Sequence, residues 1–141
     1  MSVREESRGG VEDIVPDGWP RGAGYAHATA ARGRVVSIAG QIGWDPRTGA
    51  WAARDLVGQT AQTLRNVAEV VQAAGGTVRD VVRLTWFVLD REAYLAARKE
   101  IGSAYRAVFG RHYPAMSVVV VAGLIEIEAL VEIEATAVIS G

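Results

Sequence analysis

The chain has 141 residues, half of them apolar, with 15 lysine or arginine residues, 16 aspartate or glutamate residues and a formal net charge of −1. This length and apolar content suit one domain with a hydrophobic core of its own. The absence of cysteine excludes thiol nucleophiles, thiolate zinc sites and disulfide bonds, and the near-neutral charge argues against a nucleic-acid partner.

The N-terminal segment is polar and lacks the apolar run of a secretory signal. The longest apolar stretch, SVVVVAGLI beginning at Ser117, is strand-sized and much shorter than the ~20 residues that cross a bilayer. We therefore expect a soluble, cytoplasmic protein without a membrane partner. Residues 1–18 are predicted to form a polar, partly ordered tail, and residues 19–141 a single domain.

Two β-prone stretches follow the tail, at residues 25–30 and 34–42. The short segment between them ends in Gly33, and glycine can adopt positive φ values, so the pattern predicts a β-hairpin. Residues 45–49, DPRTG, combine the aspartate, proline and glycine that are typical of a turn. A short strand around Trp51 is predicted to pair back across this turn.

Apolar residues then recur at helical spacing from Leu56 to Ala74, and Gly75-Gly76 is a suitable helix end. This pattern predicts an amphipathic first helix. Its polar residues fall mostly between the apolar positions and are Gln59, Gln62, Arg65, Asn66, Glu69 and Gln72.

Residues 81–89, VVRLTWFVL, are β-formers with only weak alternation and predict a largely buried strand. Asp90 can cap a second helix, which Gly110 would end. The apolar stripe of this second helix consists of Tyr94, Ala97, Ile101, Tyr105 and Val108.

The last strands are predicted at residues 117–121 and Val131–Ile139, and the IEIEAL stretch between them could extend either one. Because side chains alternate along a strand, Glu132 and Glu134 share one face of the final strand, while Val131 and Ile133 share the other. Two carboxylates on one face of a strand, in a mainly apolar chain, indicate either a solvent-exposed sheet surface or a functional site.

Strands flank each predicted helix, so the most economical packing is an α+β fold with one mixed sheet and both helices on one face. Several strands are apolar on both faces, and the helix-free face would therefore expose a large apolar patch. Identical copies arranged in a closed ring would bury that patch. The sequence thus predicts a self-associating protein.

Several stretches of the sequence resemble one known family in their residues, their order and their spacing. They are RVVSIAGQI at residues 34–42, DPRTG at 45–49, the predicted helix at 59–76, the strand at 81–90, YPA at 113–115 and VEIEA at 131–135. Together they resemble the Rid family, the reactive intermediate deaminases, also called YjgF-like or, in older labels, endoribonuclease L-PSP. The resemblance runs from about residue 25 to residue 139.

This resemblance implies a chorismate-mutase-like α+β fold, a homotrimer and ligand clefts between adjacent subunits. It also implies that water hydrolyses an enamine or imine, often a 2-iminoacid, to a carbonyl compound and ammonia, with no metal or cofactor. The partners it implies are other copies of the chain and a small-molecule ligand.

The resemblance also implies site residues, with one departure. The family has Pro-Ala-Arg-Ser, whose arginine binds the substrate carboxylate, whereas this chain has Pro114-Ala115-Met116-Ser117. Methionine cannot pair with a carboxylate, so a ligand other than a standard 2-iminoacid is expected. The implied catalytic residue is Glu132, which would handle water or a proton. The implied substrate-binding positions are Tyr25, Gly40, Met116, Ser117, Glu92 and Arg111.

Alternatives remain at several of these positions. Arg111, His112 or Arg83 could replace the missing arginine, although Arg83 could instead form an ion pair with Glu132 or Glu134 across strands. Tyr25 could simply be a half-buried hairpin tyrosine, and two histidines without matching ligands make a poor metal site.

The function also has alternatives. The same cleft could hold a metabolite without turning it over, or it could guide a cyclisation or tautomerisation in one pathway. The older family label suggests an endoribonuclease, which the overall charge argues against.

Overall fold

The computed structural model describes residues 2–6 and 10–141. Residues 1 and 7–9 of the predicted tail lie outside this described part. In chain order the strands are β1 (Ser2–Glu6), β2 (Glu12–Pro16), β3 (Ala28–Ala30), β4 (Arg34–Gln41), β5 (Val81–Val88), β6 (Ala115–Val120) and β7 (Val131–Ile139). The helices are α1 (Leu56–Ala73), α2 (Arg91–Ala96) and α3 (Arg98–Phe109), with a 3₁₀ turn at Val78–Asp80.

The main sheet has the strand order β4-β7-β5-β6. Its β4–β7 and β7–β5 pairs are antiparallel and its β5–β6 pair is parallel, so the sheet is mixed. Helices α1 and α3 pack on the same side of it, around Leu64, Leu84 and Tyr105. The predicted α+β fold, with a mixed sheet and two main helices on one face, is confirmed.

Strand β7 shows the predicted alternation. Val131, Ile133, Ala135 and Ala137 belong to the core beneath the helices. Glu132 is half-buried and Glu134 is exposed, on the opposite, helix-free face. The final strand therefore has one buried face and one solvent-facing face, and both carboxylates lie on the solvent-facing one.

The predicted hairpin between residues 25–30 and 34–42 is wrong. Strand β3 pairs with β2, opposing Ala30 to Glu12, whereas β4 pairs with β7, opposing Arg34 to Ile139. The chain changes sheets at Gly33, where φ is 150° and a side chain would collide with the end of β7. Both strands thus find partners that are distant in sequence.

The N-terminal segment is more ordered than its polar composition indicates. Strands β1, β2 and β3 form a second, antiparallel sheet in that order. Val11 and Val15 of this segment are buried. The segment therefore contributes apolar contacts as well as strands.

The predicted second helix is split in two. The Ala93 N–H donates a 3.1 Å hydrogen bond to the Asp90 carboxylate, as expected of a cap, and Gly110 ends α3 with a φ of 63°. Between these ends the helix is interrupted at Ala97, whose φ and ψ are −100° and 8°. The break leaves Tyr94 and Arg98 on separate helices but beside the same cavity.

The predicted end of the first helix and the pairing near Trp51 are present in the structure, whereas the suggested extension of a neighbouring strand by the IEIEAL stretch is not. Helix α1 ends before Gly75, Trp44 and Trp51 form a single antiparallel bridge, and residues 121–130 form a loop that extends neither β6 nor β7. No helix in the described part of the chain is both long enough and apolar enough to cross a membrane.

Candidate functional site

Gly40 and Glu132 lie side by side on adjacent strands β4 and β7. A Cβ atom placed on Gly40 would lie 2.8 Å from both Cδ and Oε1 of Glu132. Any larger residue at position 40 would therefore displace the carboxyl group, which lies across the backbone of β4. A shift in strand register between Ile38 and Gln41 accompanies this close approach. The structure thus brings together two of the predicted site residues.

These two residues open onto a cavity of about 360 Å³, which we call the Glu132 cavity. Its other walls come from the segment that follows β4 and from the loop that precedes β7. They consist of Gln41, Ile42, Trp44, Leu124, Ile125 and Glu126. Among the described residues, Glu132 has no hydrogen-bond or ion-pair partner. Its carboxylate oxygens are therefore available to contact a ligand in this cavity.

The buried amide of Gln59 fixes the loop wall of the Glu132 cavity. Gln59 is 2 % exposed, accepts a 2.8 Å hydrogen bond from the Leu130 N–H and donates a 2.9 Å bond to the Glu128 carbonyl. It also donates to the Ala53 carbonyl at 3.3 Å. A single side chain on α1 therefore holds the loop next to Glu132 in position through hydrogen bonds to its main chain.

Asn66 fixes the opposite wall in the same way. It is 4 % exposed, and its Nδ2 group donates to the carbonyls of Ile42 at 3.0 Å and Trp44 at 2.9 Å. Its Oδ1 accepts a 2.9 Å bond from Gln62. Two buried amides on one helix therefore hold both walls of the cavity.

The sequence interpretation missed the role of these amides, because it grouped Gln59 and Asn66 with the other polar residues of an amphipathic helix. A signal was present: Gln59, Thr63 and Asn66 are spaced four and three residues apart and so share one helix face. All three are buried. A polar stripe at that spacing on a helix that covers a sheet indicates side chains that bond to buried main-chain groups.

Met116 lies away from Glu132, on the opposite side of the sheet. It is opposite Leu84 in the β5–β6 register and packs against the core beneath the helices. It lines a cavity of about 330 Å³ between β6 and helices α2 and α3, which we call the Met116 cavity. Ser117, the next residue, is exposed and opposite Thr85, on the helix-free face.

Tyr25 and Arg111 line a third cavity of about 210 Å³, together with His27 and His112. The Tyr25 and His27 rings meet edge to face, with centroids 5.5 Å apart. Burial lowers the pKa of His112, whose Nε2 lies 2.7 Å from the Val81 carbonyl oxygen. Neither Arg111 nor His112 lines the Met116 cavity.

Two further predicted residues lie outside these cavities. Glu92 is exposed on α2, with its carboxylate 3.7 Å from the Arg91 guanidinium. Arg83 is opposite Thr136 in the sheet and has no ion pair among the described residues, so the suggested pair with Glu132 or Glu134 is wrong. The described residues contain no group of three or more potential metal ligands.

Within one chain, the predicted site residues therefore form separate groups. Glu132 and Gly40 share one cavity, Met116 lines a second, and Tyr25 and Arg111 line a third. Glu132 and Met116 are on opposite sides of the same sheet. One chain alone does not bring them into a single cleft.

The sequence of this chain is similar to one family model and to several known proteins. The family model described as Endoribonuclease L-PSP matches residues 20–139. A RutC family protein of Pyrococcus horikoshii is 35% identical over 127 residues, covering 89% of this chain and 96% of that protein. A 2-iminobutanoate/2-iminopropanoate deaminase of Salmonella typhimurium is 41% identical over 109 residues, covering 75% and 80%.

Solved structures are similar as well. The Rid family protein YyfB from Yersinia pestis, described as of unknown function, superposes with a TM-score of 0.82 and 35% identity, covering 92% of this chain and 99% of that chain. The YjgF gene product of E. coli superposes with a TM-score of 0.65 and 37% identity, covering 81% and 87%.

Proposed function

Because this chain belongs to the Rid family, whose sequence model is described as Endoribonuclease L-PSP, we propose that it is a hydrolytic deaminase of small reactive imines or enamines. The relative from Salmonella typhimurium that is named a deaminase supports this activity. The observation that carries the proposal is the Glu132 carboxylate, which faces a cavity beside Gly40 without a bonding partner among the described residues.

Imine hydrolysis needs a group that moves protons between water and nitrogen, and Glu132 can do this. As the water oxygen bonds to the carbon of the C=N group, Glu132 takes a proton from the water and returns it to the nitrogen, giving a neutral carbinolamine. Glu132 then takes the hydroxyl proton and delivers it to the nitrogen as the C–N bond breaks. The products are a carbonyl compound and ammonia.

Gly40 contributes by leaving space. Because it has no side chain, the Glu132 carboxyl group can lie across β4, and a ligand can approach the backbone there. The fixed walls held by Gln59 and Asn66 would keep the carboxylate in place during the reaction.

The active form in this proposal is a cytoplasmic homotrimer. The helix-free face and the neighbouring loop expose apolar side chains: Val35 is 66% exposed, Val119 is 41% exposed, and Ile127 is 93% exposed. Such a surface favours association with other copies. A neighbouring copy could also bring the Met116 side of one chain to the Glu132 cavity of another, and the family resemblance suggests three copies.

The proposed substrate is not a standard 2-iminoacid. The family arginine that binds the substrate carboxylate is replaced by Met116, and a thioether offers no bidentate partner for a carboxylate. The proposed substrate-binding positions are Tyr25, Gly40, Met116, Ser117, Glu92 and Arg111.

Ammonia release from a panel of imines generated in solution would test the proposal. Glu132→Gln should lower the rate by about 100-fold or more, because the amide cannot accept the water proton. Glu134→Gln is the matched control, since it changes an exposed carboxylate on the same strand, and it should retain activity. Equal rates for wild type and Glu132→Gln would exclude Glu132 as the proton-transfer group.

A further inference from the structure

The Glu132 cavity carries a second carboxylate. Glu132 lines it from β7, and Glu126 lines it from the loop that precedes β7. None of the described residues that line this cavity is a lysine, an arginine or a histidine. Glu126, like Glu132, forms no ion pair in the part of the chain that the structure describes. Two negative charges without a counter-charge at one cavity favour a positively charged ligand.

Hydrogen bonds of the main chain hold Glu126 at this cavity. The Ala129 N–H donates a 3.0 Å bond to the Glu126 carbonyl, which closes a turn. Gln59 bonds to the main chain of Glu128 and Leu130, the residues on either side of Ala129. The loop that carries the second carboxylate is therefore fixed to α1.

Solvent screens the charge of Glu126 only in part. Its side chain is exposed, whereas Glu132 is half-buried. A space of about 360 Å³ is on the order of 10 Å across, which is close to the Debye length of ~8 Å at physiological salt. Water and salt therefore weaken the attraction between Glu126 and a cation in the cavity without abolishing it.

The uncharged walls of the cavity also suit a cation. Trp44 lines it and packs against Trp51 at a centroid distance of 5.9 Å, and tryptophan has the aromatic face that binds cations best. The Nε2 group of Gln41 donates a 3.0 Å bond to the Ala39 carbonyl, so the part of this amide that remains available is the acceptor Oε1. Carboxylate and amide oxygens accept bonds from N–H groups, which a protonated imine has and a carboxylate lacks.

We propose that the Glu132 cavity selects imines that are positively charged and carry no carboxylate, and that Glu126 is the residue that sets this preference. The ligand class is the protonated imine of a simple amine, with a C=NH₂⁺ group bonded to an apolar or aromatic body. The identity of the reaction rests on the proposed function, whereas the preference for a cation does not.

A protonated imine agrees with the proton transfers assigned to Glu132. As the water oxygen bonds to the carbon of the C=NH₂⁺ group, the electron pair of the C=N bond moves to nitrogen and Glu132 takes one proton from the water. Glu132 returns that proton to the nitrogen of the neutral carbinolamine, the C–N bond breaks, and the hydroxyl proton leaves with the nitrogen. The products are a carbonyl compound and an ammonium ion. Glu126 transfers no proton and acts by attracting the cation, so its effect falls on KM more than on kcat.

Calorimetric titration with three ligands of one shape tests the charge preference without any turnover. Benzamidinium, benzamide and benzoate share a flat body and carry a positive charge, no charge and a negative charge, and benzamidinium also has the planar C–N geometry of a protonated imine. Benzamidinium should bind at least about tenfold more tightly than benzamide, and benzoate should bind most weakly. At about 1 M salt, where the Debye length falls to ~3 Å, these differences should shrink. Equal affinity for benzamidinium and benzamide would overturn the proposal, because the two carboxylates would then be neutralised in the assembled protein.

Substitutions in the loop test the role of Glu126. Glu126→Gln should weaken benzamidinium binding about threefold and Glu126→Lys about tenfold, while benzamide binding should stay the same. Glu128→Gln is the matched control, because it removes the same charge from an exposed residue of the same loop that does not line the cavity, and it should leave the benzamidinium affinity unchanged. Exposed substitutions of this kind should leave the unfolding temperature near that of wild type. An equal loss in Glu126→Gln and Glu128→Gln would overturn the role of Glu126, since it would show only an effect of net charge.

Two imines that differ only in a carboxylate test the preference in the reaction. An amine oxidase acting on benzylamine generates the imine without a carboxylate, and an amino acid oxidase acting on phenylglycine generates the corresponding 2-iminoacid. The wild-type kcat/KM for ammonia release should be at least about tenfold higher for the first imine, and Glu126→Lys should lower this ratio about tenfold, mainly through KM. A ratio that Glu126→Lys leaves unchanged would exclude Glu126 as a specificity-determining residue.

Failure of this proposal and failure of the proposed function give different results. If benzamidinium is preferred and the preference depends on Glu126, but no imine is hydrolysed, the cation site stands and the deaminase proposal fails. If both imines are hydrolysed equally well and benzamidinium binds no better than benzamide, the deaminase proposal stands and the charge preference fails.

Discussion

Replacing Gln59 with leucine would remove a buried amide and keep a side chain of similar size. In the wild-type protein this amide makes a 2.8 Å bond with the Leu130 N–H and a 2.9 Å bond with the Glu128 carbonyl. The bonds are only partly buried, so water could replace some of the lost interaction. At about 1–2 kcal/mol for each bond, the free energy of unfolding should fall by about 2–4 kcal/mol.

Urea denaturation followed by far-UV circular dichroism measures this change. All proteins must be compared at one concentration, because association shifts the midpoint. Gln72→Leu is the matched control, since Gln72 is exposed on the same helix, and its effect should stay within about 0.5 kcal/mol. If Gln59→Leu proved as stable as Gln72→Leu, Gln59 would not hold the loop as we describe.

The same substitution should affect activity under conditions where the protein is folded. Without Gln59, the loop at residues 121–130 would lose its tie to α1, and the Glu132 cavity would lose a fixed wall. A misplaced wall should lower imine hydrolysis by about tenfold or more, because catalysis depends on close positioning. Unchanged hydrolysis would show that the loop does not position the site.

Three further predictions concern other parts of the molecule. Gly40→Ala should lower imine hydrolysis by about 10-fold to 100-fold, because the new methyl group would displace the Glu132 carboxyl group, and unchanged turnover would contradict this geometry. Burial lowers the pKa of His112 from its ordinary 6.5, so the unfolded chain binds this proton more readily than the folded chain does. The stability that neutral His112 contributes is present above pH 6.5 and is lost as the pH falls through the lowered pKa, so urea midpoints at pH 5 and pH 7.5 should differ more in wild type than in His112→Gln. Equal differences in the two proteins would refute this. Ile127→Asp places a charge on a 93% exposed apolar residue and should weaken self-association without destabilising the single chain, as sedimentation velocity would show; an unchanged mass would place Ile127 outside the interface.

Helices and strands whose signals lie within a few neighbouring residues were predicted correctly from the sequence. The helical spacing after Leu56, the cap at Asp90 and the glycine at position 110 correctly marked helix ends. The alternation in Val131–Ile139 correctly placed Glu132 on the helix-free face. In each case the physical cause lies within a few residues, so it can be read without knowledge of the tertiary structure.

Features that depend on distant partners were not predictable in this way. Strand β3 looks like the first arm of a hairpin, but its partner is β2, while β4 pairs with β7, about 100 residues further along the chain. Likewise, Gln59 looks like an ordinary polar helix residue until the main-chain groups of Glu128 and Leu130 come to lie beside it. The contact between Gly40 and Glu132 also depends on the strand register, which one sequence does not reveal.

Subunit mixing tests the central claim, a cleft shared between copies, most directly. Glu132→Gln removes the proton-transfer group, and Met116→Trp fills the Met116 cavity, so each variant alone should be inactive. If the cleft combines Glu132 of one copy with Met116 of its neighbour, trimers refolded from an equal mixture should regain about a quarter of the wild-type clefts. No regained activity, with both variants folded and mixed trimers present, would contradict a shared cleft.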